Sequence, residues 1–447
     1  MNKILYLILS LIFVKKPIIQ NKKKYDILII NMLGSKKESY SKILLMYSGG
    51  LDTSIILKWL QETYNAKVYT FTADLGQEFA DPTRFREIEE KAKKLGTIKH
   101  YIVDLKEVFV NEYIFPVIKA NGLYQGIYPL STAVGRPLIA IEAIKIAKKE
   151  NIPVIAHGCT GKGNDQIRFN VTAKAYAPDI EILQPLIEWN MGRDEEMKYA
   201  EQHGIPIPNQ NKKYSIDENL FGRSAECDIL DHPEIEPPED SKVWTKNPKN
   251  APDTPENITI NFEEGIPIGL NGERMNGVEI VFKLHELGCK HGVGRIEHME
   301  DRAIGLKSRE TYEVPAALIL IKAHKDLEKY VCTKHENSFK SIVDQRWTEL
   351  AYEGLWVDPL RDSLQAFIDE INKKVIGSVK LKLFKGSANV VARESPYGIY
   401  DLNLATYDAG SSFDQKLSYG FIPLWGLQSR MGFIIKKKLE KDKKNRI

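Results

Sequence analysis

The chain has 447 residues, of which 43% are hydrophobic and 28% are charged. These fractions are typical of a soluble globular protein and exclude wholesale disorder, a collagen-like repeat and a multi-span membrane protein. At about 100 to 200 residues per domain, the length predicts two or three domains. The four cysteines lie far apart without a CxxC pair, so we expect a reducing compartment and no disulfides.

The net charge of +3 is unevenly distributed along the chain. Residues 1–40 carry eight lysines against two acidic residues, and residues 431–447 carry seven basic residues against two acidic ones. The body of the chain, residues 41–430, therefore has a net charge of −8. Because nucleic-acid affinity depends on neutralising phosphates, an acidic body argues against a nucleic-acid partner.

Residues 4–14, ILYLILSLIFV, form an apolar run flanked by lysines. At 11 residues the run is too short to cross the ~30 Å hydrocarbon core of a membrane as a helix. It resembles the hydrophobic segment of a signal peptide, but KKPIIQNKKK follows instead of a small-residue cleavage site. We therefore expect a cytoplasmic protein without a membrane partner, and treat residues 1–40 as an extension with Met32 as a candidate start.

From Lys42 onward the sequence alternates strand and helix patterns. Apolar runs of strand length occur in ILLMY, AKVYTFTADLG, IKHYIVDL and PVIAHG, and helix-forming stretches follow the first three. Continuous apolar strands separated by helices predict a parallel sheet covered on both faces, with ligands beyond the carboxyl ends of the strands. We predict an α/β nucleotide-binding domain over residues 41–207.

The sharpest motif is SGGLDTS, which occupies residues 48–54 directly after the first strand. Two glycines let the backbone approach an anion, and the helix that begins there directs unpaired N–H groups at it. The chain has no GxxxxGK[ST] motif, so this cradle lacks the lysine of that motif. A loop that holds the β- and γ-phosphates and releases them together leaves the α-phosphorus open to attack, which predicts pyrophosphate as a product.

SGGLDTS resembles the signature of the N-type ATP pyrophosphatases, which adenylylate an oxygen and then displace AMP. Four further stretches resemble the argininosuccinate synthase family in order and spacing: LYQGIYPLSTAVGRPLIA, HGCTGKGNDQIRF, YSIDENLFGRS and KHGVGRIEHMEDRAIGLKSRETYEVPA. EQHGIPIP and ARESPYGIYD extend the resemblance, which covers the chain from residue 42 to about residue 403. The resemblance implies a ligase of arginine biosynthesis with an adenine nucleotide alpha hydrolase-like domain.

The resemblance further implies the reaction and its site. ATP, citrulline and aspartate would give argininosuccinate, AMP and pyrophosphate through a citrullyl-adenylate, with Mg²⁺, in a homotetramer. The implied ATP contacts are Met46, Tyr47, Ser48, Gly49, Gly50, Leu51, Asp52, Thr53, Ser54, Ala73 and Gly158. The implied citrulline contacts are Tyr128, Asn164, Arg168, Ser215, Ser224, Glu300 and Tyr312, and the implied aspartate contacts are Thr160, Asn164 and Asp165.

The residue types suit these roles. Arg168 can donate two parallel hydrogen bonds to a carboxylate, and Glu300 can accept from an ammonium or ureido N–H. Asp165 would meet the ammonium group of aspartate and help it lose a proton, although it can also cap the helix that follows. Lys162 would stabilise negative charge on the phosphates. Asp74 would equally well cap a turn.

One implied citrulline contact is altered in this chain. Family members can present a hydroxyl where this chain has Ala133, and the neighbouring Thr132 is its candidate substitute.

Three other interpretations compete with this one. Cys159 would suit a tRNA-modifying ATP pyrophosphatase with a reactive cysteine, but no partner cysteine is evident. A non-catalytic adenine-nucleotide-binding module would need neither the second set of motifs nor a large second domain. His285, Cys289 and His291 lie close in sequence, but three ligands without a fourth make a weak zinc site. We therefore predict no protein-held metal.

The second half predicts an α+β synthetase domain over residues 208–420. Residues 231–257 are rich in proline and charge and predict a long ordered loop. ITINFEEGIPIGLNGE predicts a hairpin, VEIVFKLHELGCKHG a helix and VKLKLFKGSANVVARES an antiparallel strand pair. Because YSIDENLFGRS and Glu300 belong to this domain, the active site is predicted to be a cleft between domains.

Residues 421–447 predict a C-terminal oligomerisation helix with a basic tail. Its apolar stripe consists of Leu424, Leu427, Met431, Ile434 or Ile435, and Leu439. A single stripe on a polar helix needs a partner surface, which is either the rest of the same chain or a neighbouring subunit.

Overall fold

A computed structural model describes residues 40–77, 83–189, 191–206, 213–408 and 410–445. The apolar run at residues 4–14 and the candidate start at Met32 lie outside these residues. We call residues 40–206 the N-terminal half and residues 213–445 the C-terminal half.

Five parallel strands form the sheet of the N-terminal half, in the spatial order β3, β2, β1, β4, β5. The strands are β1 (Lys42–Met46), β2 (Lys67–Asp74), β3 (His100–Asp104), β4 (Val154–Ala156) and β5 (Glu181–Leu183). Alternate residues of β1 enter different cores: Ile43 and Leu45 pack in one, Leu44 and Met46 in the other. The sheet is therefore covered on both faces, as its apolar strands predict.

Eight helices accompany this sheet in the described part of the N-terminal half. They are α1 (Leu51–Tyr64), α2 (Arg84–Lys94), α3 (Lys106–Phe109), α4 (Phe115–Lys119), α5 (Gly135–Lys149), α6 (Asp165–Tyr176), α7 (Pro185–Glu188) and α8 (Arg193–Gln202). A π-helical turn, Val110–Ile114, joins α3 to α4.

The C-terminal half contains two antiparallel sheets. Its strands are β6 (Ser215–Asn219), β7 (Gly222–Glu226), β8 (Glu256–Glu263), β9 (Ile266–Leu270), β10 (Glu273–Arg274), β11 (Arg295–Asp301), β12 (Lys307–Glu313), β13 (Gly377–Phe384) and β14 (Ser387–Glu394). One sheet has the order β11, β12, β7, β6, and the other has the order β10, β9, β8, β13, β14. The predicted hairpin and the predicted strand pair are both present in the second of these sheets.

Seven helices complete the described part of the C-terminal half. They are α9 (Gly277–Lys290), α10 (Pro315–Val331), α11 (Lys334–Tyr352), α12 (Pro359–Asn372), α13 (Leu402–Ala405), α14 (Leu417–Trp425) and α15 (Leu427–Lys444). A parallel-sheet domain followed by antiparallel sheets with helices confirms the predicted fold class.

The segment predicted as a long loop contains two short 3₁₀ turns, Glu239–Ser241 and Pro248–Asn250, and a third, Asp228–Asp231, ends where the segment begins. Its centre is fixed by Glu313 of β12, which accepts backbone hydrogen bonds from Val243 at 3.0 Å and Thr245 at 2.7 Å. Arg223 also donates to this carboxylate, at 3.0 Å. The loop is therefore attached to the sheet that carries the candidate site.

A buried polar cluster joins the two halves. Lys340 of α11 donates to Asp344 at 2.7 Å and to the carbonyl oxygen of Lys119 at 2.8 Å, and its Nζ lies 2.8 Å from Glu328. Asn121 of the N-terminal half donates to Glu328 at 2.9 Å and to Asp344 at 3.0 Å. Burial raises the pKa of Asp344 to about 7, against the opposing effect of Lys340. The cluster fixes residues 119–121 against α10 and α11.

The predicted C-terminal helix is present as two helices, α14 and α15, which meet at Gly426 and place Leu424 on the first and the rest of the stripe on the second. The stripe is exposed. Leu424 is 75% exposed, Met431 50% and Leu439 57%. The described residues of the same chain therefore do not cover the stripe, and the identity of its partner surface stays a prediction.

Candidate active site

The SGGLDTS loop connects β1 to α1, as predicted. Gly49 has a φ of +76°, and a Cβ there would lie 2.6 Å from Ile88 Cγ1 of α2. Gly50 is extended and caps α1. A side chain at Gly49 is therefore opposed by both the backbone conformation and the close approach of α2.

Hydroxyl groups hold this loop in shape. Ser54 is fully buried, donates to the carbonyl oxygen of Gly50 at 2.6 Å and lies 3.0 Å from the hydroxyl of Tyr47. Ser48 is exposed, and its hydroxyl lies 3.1 Å from that of Thr53. Ser54 is thus committed to the loop itself, whereas Ser48 can reach a ligand.

The remaining implied nucleotide residues differ in exposure. Met46, Tyr47 and Leu51 are buried, so any contact of theirs with a nucleotide would pass through the backbone. The side chain of Asp52 is exposed in the first turn of α1.

A lysine that the motif itself lacks is supplied by another helix. Lys91 of α2 donates to the carbonyl oxygen of Gly49 at 3.0 Å. The sequence does not single out this residue, because its helix pattern is ordinary and its position is set by the packing of Ile88 on Gly49. The loop therefore has a cation beside it after all.

Ala73 lies near the end of β2 and Gly158 lies two residues beyond β4, and these two strands flank β1 on either side. A Cβ on Gly158 would lie 3.2 Å from Thr53 Cγ2, which shows how closely this residue approaches α1. Ala73 is 8% exposed, and its carbonyl oxygen accepts from Gln77 at 2.6 Å. Asp74 accepts from the backbone N–H of Gly76 at 2.8 Å and so caps a turn, the structural role anticipated for it.

Residues 158–165 lead from the phosphate loop to the C-terminal half. Thr160 and Lys162 are exposed on this segment, and Asn164 is buried at its end. Asn164 donates to the hydroxyl of Tyr352 at 2.8 Å and accepts from the N–H of Ala303 at 2.9 Å. The segment therefore connects both halves.

Asp165 opens α6 between two guanidinium groups. Arg136 Nε donates to its Oδ2 and Arg168 Nη1 to its Oδ1, each at 2.9 Å. Burial alone would raise the pKa of this carboxyl, but the two arginines outweigh burial and lower the pKa to about 2. The anticipated capping role is wrong, because Asn164 occupies the cap position and both Asp165 oxygens face arginines.

The low pKa of Asp165 bears on its two predicted functions. A carboxylate that stays ionised suits the binding of an ammonium group. It is a poor acceptor for a proton, which disfavours the predicted activation of the amine by Asp165 itself.

Arg136 of α5 also contacts Asp217 of β6, through its Nη2. This contact crosses from the N-terminal to the C-terminal half. Arg136 and Asp217 lie inside motifs noted in the sequence, yet neither was assigned a role, because only the folded chain brings them together.

One face of the four-stranded sheet carries the polar residues of the C-terminal half. Strand pairing aligns Asp217, Ser224 and Tyr312 in one row across β6, β7 and β12. Residues directly opposite each other share a face, and every second residue along a strand returns to it. This face carries Ser215, Asp217, Asn219, Ser224, Glu226, Ile296, His298, Glu300, Ser308, Glu310 and Tyr312.

Four of the implied citrulline residues, Ser215, Ser224, Glu300 and Tyr312, thus share one face. Tyr312 donates to Glu300 at 2.7 Å and stacks on Tyr128 with ring centroids 4.3 Å apart. Ser215, at the start of β6, is exposed.

Glu300 is 3% exposed and also accepts a hydrogen bond from Tyr352. Burial raises the pKa of Glu300, while the hydrogen bonds from Tyr352 and Tyr312 oppose that rise. Tyr352, which the sequence analysis missed, connects Glu300 to Asn164.

Arg168 is engaged within the protein. Its Nε and Nη2 donate to the carbonyl oxygen of Tyr352, at 3.0 and 2.8 Å, while its Nη1 donates to Asp165. The guanidinium retains further N–H groups, so its predicted contact with a carboxylate stays a prediction.

Ala133, where family members can present a hydroxyl, lies beside Tyr128. The hydroxyls of Tyr128 and Thr132 lie 3.0 Å apart, and the N–H of Ala133 donates to Tyr128 at 3.3 Å. Thr132 thus stands beside an implied citrulline residue, and its substitution for the missing hydroxyl stays a prediction.

Arg302 joins the aspartate segment to the sheet face. It donates to the carbonyl oxygen of Lys162 at 3.3 Å and to Glu226 and Glu310 at 3.0 Å each. Burial, together with the neighbouring Glu310, raises the pKa of Glu226 to about 7. This cluster was also missed, because none of its members belongs to the implied contact set.

Two competing sites receive no support from the geometry. His291 lies 3.0 Å from Glu256 rather than facing Cys289, and no group of three or more His, Cys, Asp or Glu side chains in the described part of the chain could hold a metal ion. Burial raises the pKa of Cys159, the opposite of what a reactive thiolate needs.

No helix among the described residues is both long and apolar enough to cross a membrane.

Family models match both halves of the chain. One described as "Arginosuccinate synthase N-terminal HUP domain" matches residues 42–206. Another, described as "Arginosuccinate synthase C-terminal domain", matches residues 214–432.

Three curated relatives carry the name argininosuccinate synthase. The Pyrococcus furiosus protein is 55% identical over 392 residues, which are 88% of this chain and 94% of the relative. The Pyrobaculum aerophilum protein is 50% identical over 390 residues, or 87% and 97% of the two chains. The Methanocaldococcus jannaschii protein is 50% identical over 395 residues, or 88% and 98%.

These matches confirm the resemblance found in the sequence and the predicted enzyme class, so the tRNA-modifying and non-catalytic alternatives are wrong. The chain belongs to the argininosuccinate synthase family and is a ligase of arginine biosynthesis.

Proposed function

We propose that the protein joins citrulline to aspartate at the expense of ATP, and that it releases argininosuccinate, AMP and pyrophosphate. The ureido oxygen of citrulline first attacks the α-phosphorus and displaces pyrophosphate. The amine of aspartate then displaces AMP from the citrullyl-adenylate.

The observation that carries this proposal is the course of residues 158–165. The segment begins at Gly158, against Thr53 of the phosphate loop. It ends at Asn164, which contacts Tyr352 and Ala303, and at Asp165, which shares Arg136 with Asp217 of the sheet face. A nucleotide at the loop and two amino acids at the sheet face would therefore share one cleft. Holding reactants in near-attack geometry can lower a barrier by ~7 to 11 kcal/mol, which a weak nucleophile such as a ureido oxygen requires.

The phosphate loop would bind the β- and γ-phosphates through backbone N–H groups at the start of α1 and through Ser48. Lys91 beside Gly49, and Lys162 on the exposed segment, would balance their charge. Ala73 and Gly158 would contact the nucleoside.

The loop also suits Mg²⁺. This ion is usually held by substrate phosphates, waters and one or two carboxylates, and the loop carries one carboxylate, that of the exposed Asp52. Bound there, Mg²⁺ would neutralise phosphate charge.

Citrulline would lie on the sheet face. Glu300, buried between Tyr312 and Tyr352, would accept from an ammonium or ureido N–H. The other proposed contacts are Tyr128, Asn164, Arg168, Ser215, Ser224 and Tyr312.

Aspartate would bind between Thr160, Asn164 and Asp165. The ionised Asp165 would hold the ammonium group, which keeps the amine close to the adenylate.

We further propose a cytoplasmic homotetramer with domain boundaries at residues 41–207, 208–420 and 421–447. The exposed stripe on the C-terminal helix supports association with a second copy, because an apolar surface of this kind favours burial.

An isotope-exchange assay separates the two steps of the reaction. Citrulline, without aspartate, should support exchange of labelled pyrophosphate into ATP. When aspartate is added, the enzyme should form AMP and argininosuccinate in equal amounts. Absence of citrulline-dependent exchange would reject the adenylate.

A further inference from the structure

Asp217 lies where the two proposed amino-acid sites meet. On the sheet face it neighbours Ser224, which pairs in turn with Tyr312. Through Arg136 it is joined to Asp165, the proposed partner of the aspartate ammonium group. The same Arg136 nitrogen contacts both carboxylates, so the two acids lie side by side across the junction between the halves.

The carboxylates of Asp165 and Asp217 differ in the hydrogen bonds that their oxygens accept. Both oxygens of Asp165 accept from guanidinium groups. Asp217 uses Oδ2 for Arg136, and its Oδ1 has no hydrogen-bond partner within the described ranges of the chain. The Asp217 side chain is 33% exposed. One oxygen is therefore accessible to a substrate.

We propose that Asp217 accepts the proton that the amine of the second substrate must lose before it attacks, while Asp165 holds that amine in place. This inference rests on the proposed ligation and assigns one of its steps to a residue outside the implied contact set.

The electrostatics support this division of roles. The charged and titratable groups near Asp217 are Arg136 of α5, Asp165 and Arg168 of α6, Glu226 of β7 and Cys159. Burial and the charge of Asp165 raise the pKa of Asp217, and the two arginines only partly oppose this rise. A carboxylate with a raised pKa accepts a proton more readily than one whose pKa is lowered, as at Asp165.

One proton passes from the ammonium group of aspartate to the Asp217 carboxylate. The nitrogen lone pair forms the new C–N bond at the isourea carbon. The C–O bond to the adenylyl group breaks, and its electron pair leaves with AMP. The remaining N–H protons stay on the guanidinium product.

The test is Asp217→Asn, assayed in both half-reactions. Citrulline-dependent exchange of pyrophosphate into ATP should stay within about twofold of the unaltered enzyme, which also shows that the variant folds. Formation of argininosuccinate should fall by about 100-fold or more, within the range of general-base contributions. Its rate should also rise with pH, because hydroxide then removes the proton.

Hydroxylamine distinguishes proton removal from positioning. This amine is already unprotonated at neutral pH, so its reaction with the citrullyl-adenylate needs no base. AMP release with hydroxylamine should therefore be equal in Asp217→Asn and the unaltered enzyme. Equal losses with hydroxylamine and with aspartate would overturn the proposal.

A matched control is Glu218→Gln. Glu218 neighbours Asp217 on β6 but points to the other face, where it lies 3.7 Å from Arg223. This variant should retain both half-reactions, and a loss like that of Asp217→Asn would also overturn the proposal. If the unaltered enzyme shows no exchange, the proposed ligation fails instead, so the two failures are distinguishable.

Discussion

Ile88 fills the space that a side chain on Gly49 would need. Its Cγ1 lies 2.6 Å from the position of a Cβ on Gly49, whose φ is +76°. The same helix places Lys91 on the Gly49 carbonyl oxygen. The shape of the phosphate loop and the cation beside it therefore depend on one packing contact.

Gly49→Ala should weaken ATP binding. An alanine there combines backbone strain of about 1 to 3 kcal/mol with the displacement of Ile88, and Lys91 should move with that helix. Titration calorimetry with ATP measures the effect. Gly272→Ala is the control, because Gly272 has a φ of +85° but open space around it. It should lower stability without altering ATP affinity, and equal affinity in both variants would contradict the argument.

Asp165→Ala should abolish argininosuccinate formation while leaving ATP binding nearly intact. The change removes the ionised carboxylate proposed to hold the ammonium group, and it leaves Arg136 and Arg168 without their shared partner. Product analysis and ATP titration measure the two outcomes separately. The exposed Asp179→Ala should behave like the unaltered enzyme. Unchanged turnover in Asp165→Ala would refute the role of Asp165.

Asp344 should make the stability of the protein depend on pH. Because its pKa rises from 3.8 to about 7 on folding, the folded state binds a proton that the unfolded state has lost within this interval. The free energy of unfolding should therefore fall as the pH rises from about 4 to about 7. We expect a contribution on the order of 4 kcal/mol.

Urea unfolding of Asp344→Asn, compared with the unaltered protein at several pH values, isolates this contribution. The difference between their free energies of unfolding should vary across the interval. Asp362→Asn, on the surface of α12, should show a constant difference. A constant difference for Asp344→Asn as well would show that its carboxyl titrates normally.

Truncation before Leu424 should reduce the size of the oligomer, because it removes the exposed stripe. Sedimentation velocity measures this directly. Removal of residues 440–447 alone is the control, since it deletes basic tail residues but keeps the stripe through Leu439. An unaltered sedimentation profile after the longer truncation would count against the proposed helix contact.

The sequence predicts the N-terminal sheet well where strands are long and apolar. Each of the strands β1, β2, β3 and β4 overlaps one of the apolar runs seen in the sequence. β5 is not predicted, because its three residues are too few to show a strand pattern. β6 and β7 are not predicted for another reason. The face that carries Asp217 and Ser224 is polar, so the apolar alternation expected of a half-buried strand is weak.

The candidate site, like the strands, is only partly predictable from the sequence. Motifs identify residues such as Asp165 and Glu300, whose surroundings in the chain are distinctive. They do not identify Tyr352 or Lys91, which lie in ordinary helical patterns and reach the site only through tertiary packing. Nor do they reveal that Arg136 contacts two carboxylates, since these are 52 residues apart in the chain.

The alternation of side chains in the four-stranded sheet limits how genes for this enzyme can change in length. Adding or deleting one codon within β12 would turn every side chain beyond that point to the opposite surface, so Tyr312 and Glu310 could not both keep their neighbours. Connections away from the site, such as residues 271–272 between β9 and β10, are free of this constraint. Natural length variation should therefore concentrate in the turns, while the strands keep a fixed count.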